Sequence, residues 1–241
     1  MAKKHSPNKN GPIAIIGAMP QEITTLSEHM TQTETLTTAG MTLYNGFINN
    51  VSVVVMQCGI GKVNATIGTT LLIERFAPRA VVNTGSAGGI GTNLHVGDIV
   101  IGQSLAHHDV DITTFGYAMG QMAQMPIEYP CDQSLIKAAR QATETFSDIV
   151  IHYGQIVSGD QFIADNEHFT AIRKNFPNAL AVEMEAAAIA QTCYRFDIPF
   201  VVIRAISDLA NETAAISFDQ FIIEAGKRSA EMVISFLKNY H

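Results

Sequence analysis

The chain has 241 residues, 47% of them hydrophobic, and a formal net charge of −7. Lysines and arginines are scattered, with no basic cluster beyond the first ten residues, which argues against a nucleic-acid surface and leaves small molecules or proteins as partners. No segment approaches the roughly 18 apolar residues of a membrane-spanning helix. The three cysteines, Cys58, Cys131 and Cys193, lie outside any C-x-x-C spacing, which suits a reducing, cytoplasmic setting better than a disulfide or zinc scaffold.

Met1 to Asn10 carries Lys3, Lys4 and Lys9 with no apolar stretch behind them. It reads as a disordered tail over residues 1–11 ahead of a single domain over 12–241, rather than as a secretory signal. Ile13 to Ile16 is a β-branched run closed by Gly17, so a buried strand is predicted there, followed by a helix over Met19 to Met30 with Glu22 in its first turn. Val51 to Met56 is a second strand. The loop Cys58-Gly-Ile-Gly-Lys62 leads into a helix with Val63, Ile67 and Leu71 at four-residue spacing. Ala80 to Thr84 is a third strand entering Gly85 to Gly89, read as a loop of small residues, and extended structure resumes over Val96 to Val100. His107 to Met125 mixes His, Asp, Gly, Met and aromatic residues without a period, as a functional loop or a partner-facing excursion would.

Helix returns at Gln133 to Phe146, strand at Ile151 to Val157, and a turn at Ser158 to Asp160. Phe169, Ile172 and Phe176 mark one face of a helix beginning near Asn166. Ala179 to Met184 reads as a strand feeding a helix at Glu185, and Pro199 to Ile203 as a last buried strand running into Arg204 to Asp208. The C-terminal helix carries Phe218, Phe221, Ile222, Ala225, Ser229, Met232, Val233, Phe236 and Leu237 on one stripe. This alternation predicts a single three-layer α/β domain with a largely parallel sheet and mixed edges in the irregular middle.

Chemistry is signalled first by Glu183 and Glu185, two carboxylates inside the apolar run Ala179 to Ala190. A buried unpaired charge costs several kcal/mol, so both need partners, neutralisation or a ligand, and a salt-bridged structural pair is one answer. Glu22 and Asp208 also sit beside strand ends, where open α/β sheets place ligand crevices, although a glutamate in a first helical turn is favoured by the helix dipole alone. Carboxylates in unlike environments can divide into acid and base, the logic of glycoside hydrolysis through an oxocarbenium-like transition state.

The remaining signals are weaker. The glycine turns at 58–62 and 85–89 lack the Walker ending and the third glycine of a dinucleotide fingerprint, and no arginine precedes Arg75 to fork a phosphate. In a strand, His107, Asp109 and Asp111 would share a face as metal ligands, but no further Cys or His completes the set and solvated loop polarity explains them more simply. No G-x-S-x-G elbow is present.

Taken in order, Ile16-Gly-Ala-Met19 with Glu22, Gly59-Ile-Gly-Lys-Val63, Asn83-Thr-Gly-Ser-Ala-Gly-Gly89, Ser158-Gly-Asp160 with Phe162-Ile163, Val182-Glu-Met-Glu-Ala186 and Arg204-Ala-Ile-Ser-Asp208 resemble the bacterial 5'-methylthioadenosine/S-adenosylhomocysteine nucleosidases of the nucleoside phosphorylase superfamily. The resemblance runs from about Ile13 to the C-terminus. It implies an α/β domain around a mixed, partly closed central sheet flanked by helices, and an N-glycosyl hydrolase of methionine salvage that releases adenine from methylthioadenosine and S-adenosylhomocysteine, with 5'-deoxyadenosine a further candidate. Neither cofactor nor metal is implied.

On the same resemblance, Asp208 is the acid that protonates adenine N7, Glu22 the base for the attacking water, and Glu185 the charge that holds the ribose hydroxyls and stabilises the oxocarbenium. Met184 packs under the sugar, Phe162 and Ile163 stack on adenine and read its edge, and Met19, Ile60 and Phe218 line the ribose and 5'-thio pocket. Ser86, Ala87, Gly88, Ser207 and Arg204 complete the binding set together with Glu183, whose role the resemblance constrains least and which reads as a structural partner. Ile112, Phe115 and Tyr117, in the loop 112–123, would reach the neighbouring subunit's pocket, which implies a homodimer. Met19-Pro-Gln-Glu22 replaces a more acidic turn, and Ala123 stands where a proline is common. A phosphate-dependent purine nucleoside phosphorylase and a non-catalytic adenosine-binding module remain as alternatives.

Overall fold

The computed structural model describes residues 8–147, 149–210 and 214–240. In chain order the elements are β1 (Ile13–Gly17), α1 (Pro20–Glu28), β2 (Thr31–Thr38), β3 (Met41–Ile48), β4 (Val51–Gln57), α2 (Lys62–Phe76), β5 (Ala80–Gly89), β6 (Ile99–His107), β7 (Tyr129–Pro130) and α3 (Gln133–Thr143). They continue with β8 (Ile151–Ser158), α4 (Asn166–Asn175), β9 (Ala179–Glu183), α5 (Ala186–Phe196), β10 (Phe200–Asp208) and α6 (Ala214–Asn239). Of the tail expected over 1–11, residues 1–7 lie outside the described ones. Asn8 to Gly11 form a turn closed by the Gly11 N–H on Asn8 O at 2.7 Å.

The strands form one mixed sheet in the order β10-β6-β8-β9-β5-β1-β4-β3-β2, with β7 on β6, and a further parallel pairing of β10 with β5 closes half of it on itself. This is the mixed, partly closed sheet that the resemblance implies. Parallel ladders join β1 to β4 and β5, β6 to β8, and β8 to β9, while β10–β6 and β5–β9 run antiparallel. Helices flank the sheet: α6 packs on β10 and β5 with α1 and α3 beside it, and α2 and α5 pack on each other. β1 is buried along its whole length, as its β-branched run predicts for a strand covered on both faces.

Three local readings are corrected. Strands β2 and β3, which form hairpins with each other and with the predicted β4, are absent from the sequence reading, and β2, Thr-Gln-Thr-Glu-Thr-Leu-Thr-Thr, is exposed along most of its length with no apolar period. Their turns were the available signal: Ala39-Gly40 and Asn49-Asn50 all have positive φ, from 51° to 75°, as two-residue type I′ hairpins require. The small-residue loop at 85–89 and the charged segment at 204–208 are both strand. β5 and β10 run on in register, Gly85 opposite Arg204 and Ser86 opposite Ala205, because side chains this small let two strands and their neighbours crowd together.

Of the stripe Val63, Ile67, Leu71, only Leu71 packs against the core, half-buried. α2 buries Ala65, Gly68, Thr69, Leu72 and Ile73 instead, and leaves Val63 69% and Ile67 41% exposed. The segment between β6 and β7 is irregular as expected, with one 3-10 turn at Thr113–Phe115.

The α6 stripe is the main apolar seam: Ile222, Ala225, Met232, Val233, Phe236 and Leu237 are buried, while Phe221 turns outward. Phe236 has no exposed surface and stacks on Tyr240 at 5.4 Å. Phe236→Ala leaves a cavity that the flanking strands cannot fill, at a cost of about 3–5 kcal/mol. Urea denaturation measures it as a lower midpoint at unchanged slope.

Candidate active site

The ends of β1, β5, β9 and β10 meet at a cavity of about 340 Å³. Its position follows from the closed sheet, which gathers strand ends that are far apart in sequence. Glu22, Glu185 and Asp208 all line it, and each is held differently.

Glu22 occupies the third position of α1, and its side chain turns back on the helix start. Oε2 accepts the N–H groups of Ala18 at 2.7 Å and Met19 at 3.1 Å, while Oε1 accepts from Ser86 N at 3.0 Å and Ser86 Oγ at 3.2 Å. The bond from the N-cap Met19 N–H is the backbone half of a capping box, and Pro20 at the helix start leaves no orphan donor there. Gly85 makes this approach possible, since a Cβ on it would collide with the Arg204 guanidinium and lie 2.5 Å from Glu22 Oε1.

Glu183 ends β9 and faces two ways. Its carboxylate accepts from the Arg204 guanidinium and the Ser158 hydroxyl, and also from Glu185 N at 3.0 Å and Ala186 N at 3.1 and 3.0 Å. It therefore caps α5 from outside the helix, where the dipole favours an anion. Ser158 Oγ takes the next donor, Ala187 N, at 2.8 Å. Although Glu183 borders the cavity, its oxygens are committed to protein donors. It is a structural partner of the site, not a free ligand group.

Arg204 is a correction to the binding set. It is fully buried and does not line the cavity; its guanidinium donates to Asn83 Oδ1 at 2.7 Å, to Thr84 O at 3.3 Å and to Glu183. As part of β10 it points behind the cavity wall, where it holds carboxylates in place.

Glu185 precedes α5 and accepts Gly61 N–H at 2.8 Å, with Arg204 Nη2 3.7 Å from its other oxygen. Burial raises its pKa, the neighbouring Glu183 raises it further, and Arg204 only partly offsets the two. Asp208 ends β10, where it accepts Ala210 N at 2.8 Å and Ser207 Oγ at 2.9 Å. Burial raises its pKa as well, against the pull of those two donors. A carboxyl kept this way holds a proton more readily than an ordinary aspartate.

The rest of the lining is mostly apolar. Met19, Ile60, Met184 and Ile163 contribute side chains, Ser86, Ala87, Gly88 and Ser207 a floor of small residues, and Phe162 meets Phe218 edge-on at 5.5 Å. Sequence reasoning missed Ala18, Gln161 and Val182, each adjacent to a residue it named.

Ile112, Phe115 and Tyr117 lie away from this chain's own cavity, with Phe115 78% exposed. The three side chains of the possible metal face diverge: His107 bonds Gln191, Asp109 bonds Lys62, and Asp111 bonds Thr113 in its own loop.

Residues 12–238 match the sequence profile described as the Phosphorylase superfamily. A 5'-methylthioadenosine/S-adenosylhomocysteine nucleosidase of Anoxybacillus flavithermus is 49% identical over 92% of this chain and 95% of its own length. The chain belongs to the nucleosidase branch of the phosphorylase superfamily. A relative from Shewanella loihica with the same name is 48% identical over 94% of this chain and 99% of its own. The nucleosidase of Neisseria meningitidis, solved in complex with methylthio-immucillin-A, superimposes with a TM-score of 0.93 at 49% identity, covering 95% of this chain and 99% of that one. The likeness spans every element that builds the cavity of this nucleosidase-branch chain.

Removing Glu183 alone tests its structural assignment. Glu183→Ala strands a buried guanidinium and uncaps α5, and we expect a loss of about 3–5 kcal/mol in urea denaturation. The double variant Glu183→Leu with Arg204→Met, which removes both charges, should lose much less.

Proposed function

We propose that the chain hydrolyses the N-glycosidic bond of 5'-methylthioadenosine and S-adenosylhomocysteine, with 5'-deoxyadenosine a further substrate, to release adenine. One observation carries this reading: a nucleoside-sized, largely apolar cavity is lined by Glu22, Glu185 and Asp208, each held differently, with the helix-capping Glu183 at its border and, among the described residues, no lysine, arginine or histidine. Phosphate as co-substrate calls for a cationic fork, and the one arginine nearby is buried behind the wall with its charge paired. Water is the nucleophile that such a site can use. The names of the relatives agree with the reading.

In this mechanism the C1'–N9 bond breaks with its electron pair going to adenine, and Asp208 donates a proton to N7 so that the base leaves neutral. Its raised pKa suits it to carry that proton. Glu22, anchored by four donors, takes a proton from the attacking water, whose oxygen bonds to C1'. Glu185 holds the ribose hydroxyls and stabilises the cationic sugar electrostatically, a role that needs charge rather than proton transfer. Met184 forms the surface beneath the sugar, and Phe162 and Ile163 that beside the base. No cofactor or metal enters.

The decisive assay measures adenine release from methylthioadenosine with and without phosphate. We expect release in its absence; phosphate-dependent cleavage yielding a sugar phosphate would overturn the hydrolase reading, and binding without release would favour an adenosine-binding module. Asp208→Asn should lower turnover at least about a hundredfold. Its effect on stability has the opposite sign. The raised native pKa of Asp208 contributes stability that is full at low pH and lost as pH rises through that value. Asp208→Asn should therefore be at least as stable as the wild type at about pH 8, the two converging near about pH 3, below the unfolded aspartate pKa.

The assembly we infer is a homodimer, in a cytoplasmic enzyme of methionine salvage. The support is the exposed apolar face of α2, Val63 and Ile67, beside a groove of about 470 Å³ that also takes in Met122 and Phe196, with exposed Phe115 in the adjoining loop. An apolar face of this kind on a surface helix is what a second copy would cover. The three buried free cysteines suit a reducing compartment. Among the described residues, no helix is long and apolar enough to cross a membrane. Ile67→Glu should convert dimer to monomer in light scattering; an unchanged mass would place the interface elsewhere.

A further inference from the structure

Glu185 depends on a backbone group that is held from outside the cavity. Its only close donor among the described residues is Gly61 N–H, at 2.8 Å. Gly61 has φ of +97°, and a Cβ there would sit 3.1 Å from Asp160 Oδ1, so the loop keeps this shape only with glycine and with the aspartate against its backbone.

The next residue closes a ring. Lys62 N donates to Asp160 Oδ1 at 2.7 Å, Asp160 N donates to Asp109 Oδ2 at 3.0 Å, and Lys62 Nζ donates to Asp109 Oδ1 at 2.6 Å. Three segments that follow β4, β6 and β8 are thus joined by three charged residues. Burial alone would raise the Asp109 pKa, but the Lys62 ammonium and the Asp160 N–H outweigh it and hold the carboxyl below the usual range. Two of the joined segments carry cavity residues, Ile60 on one and Gln161 to Ile163 on the other.

We propose that Asp160 and Asp109, acting through Lys62, are positioning residues that aim the Gly61 N–H at Glu185 and set the spacing of the two cavity walls on either side of it. The inference rests on the nucleosidase reading of the cavity. None of the three touches the cavity, and none has a place in the proton transfers. Their effect passes through Glu185, which faces Glu183, Glu22, Cys58 and Arg204 and has, among the described residues, Gly61 as its only neutral hydrogen-bond donor. When that donor is misplaced, the charged form of Glu185 loses a hydrogen bond and the carboxyl holds its proton to higher pH. A modest displacement of a group that stabilises a transition state is enough to cost one to two orders of magnitude in rate.

The test compares Asp160→Ala, Asp160→Asn and Lys62→Met with the wild type at matched oligomeric state, each checked for its thermal midpoint. Asp160→Ala removes the acceptor for Lys62 N. It should lower kcat/KM about ten- to a hundredfold and shift the acid limb of its pH profile upward by about one unit. Asp160→Asn keeps an oxygen in that place and should restore both. Lys62→Met should shift the limb in the same direction by less. An unmoved limb in Asp160→Ala, whether the rate is kept or falls only with thermal stability, overturns the proposal, as does an Asn variant that behaves like Ala. Should the wild type release no adenine, the nucleosidase reading falls separately. Amide exchange then tests the ring alone: faster exchange at Gly61 and Lys62 in Asp160→Ala supports it, and unchanged exchange removes it.

Discussion

The buried pair between Arg204 and Glu183 is the interaction on which the rest of the site depends. A guanidinium taken fully out of water must be matched, and here β5 supplies Asn83 and the Thr84 carbonyl while β9 supplies the carboxylate. The same carboxylate caps α5 and takes the Ser158 hydroxyl from the end of β8. One pair therefore joins four strands and a helix where the sheet closes. Buried ion pairs are poor sources of net stability compared with apolar packing, but breaking one is costly, so such a pair enforces one arrangement of the elements around it.

That arrangement lets one small cavity keep three carboxylates in three conditions. Glu22 is anchored by four donors at a helix start and beside β5. Asp208 is desolvated and holds a proton more readily than an exposed aspartate. Glu185 lies between, beside a like charge and a partly compensating guanidinium. Their chemical types are nearly the same, and burial, donor number and neighbouring charge make the difference. The small residues of β5 are the geometric condition for this, because Gly85 and Gly88 leave room for the Glu22 and Asp208 carboxylates to approach the strand.

The outer surface follows another logic. Val63 and Ile67 of α2 point away from the core, and the irregular segment after β6 carries exposed aromatic surface. Helical periodicity identifies an apolar face but does not say whether that face meets this chain's core or another molecule, since burial rewards both equally.

By itself the sequence determined the α/β alternation, the strands β1, β4 and β8, the amphipathic α6, and the motif residues that gather at the cavity. Those are local matters: β-branched runs, a 3.6-residue period, glycine turns, and charges placed where apolar runs end. Only the tertiary structure decided that β5 and β10 continue as paired strands, that the polar hairpin β2–β3 exists, and that Arg204 stands behind the cavity rather than in it. It also supplied the partners of Glu183, which the sequence reading has only as structural: the start of α5 and Arg204. The physical reason is that strand pairing, burial and the partner of a charge are contacts between residues distant in the chain, and a carboxylate's chemistry comes from those contacts rather than from its place in a motif.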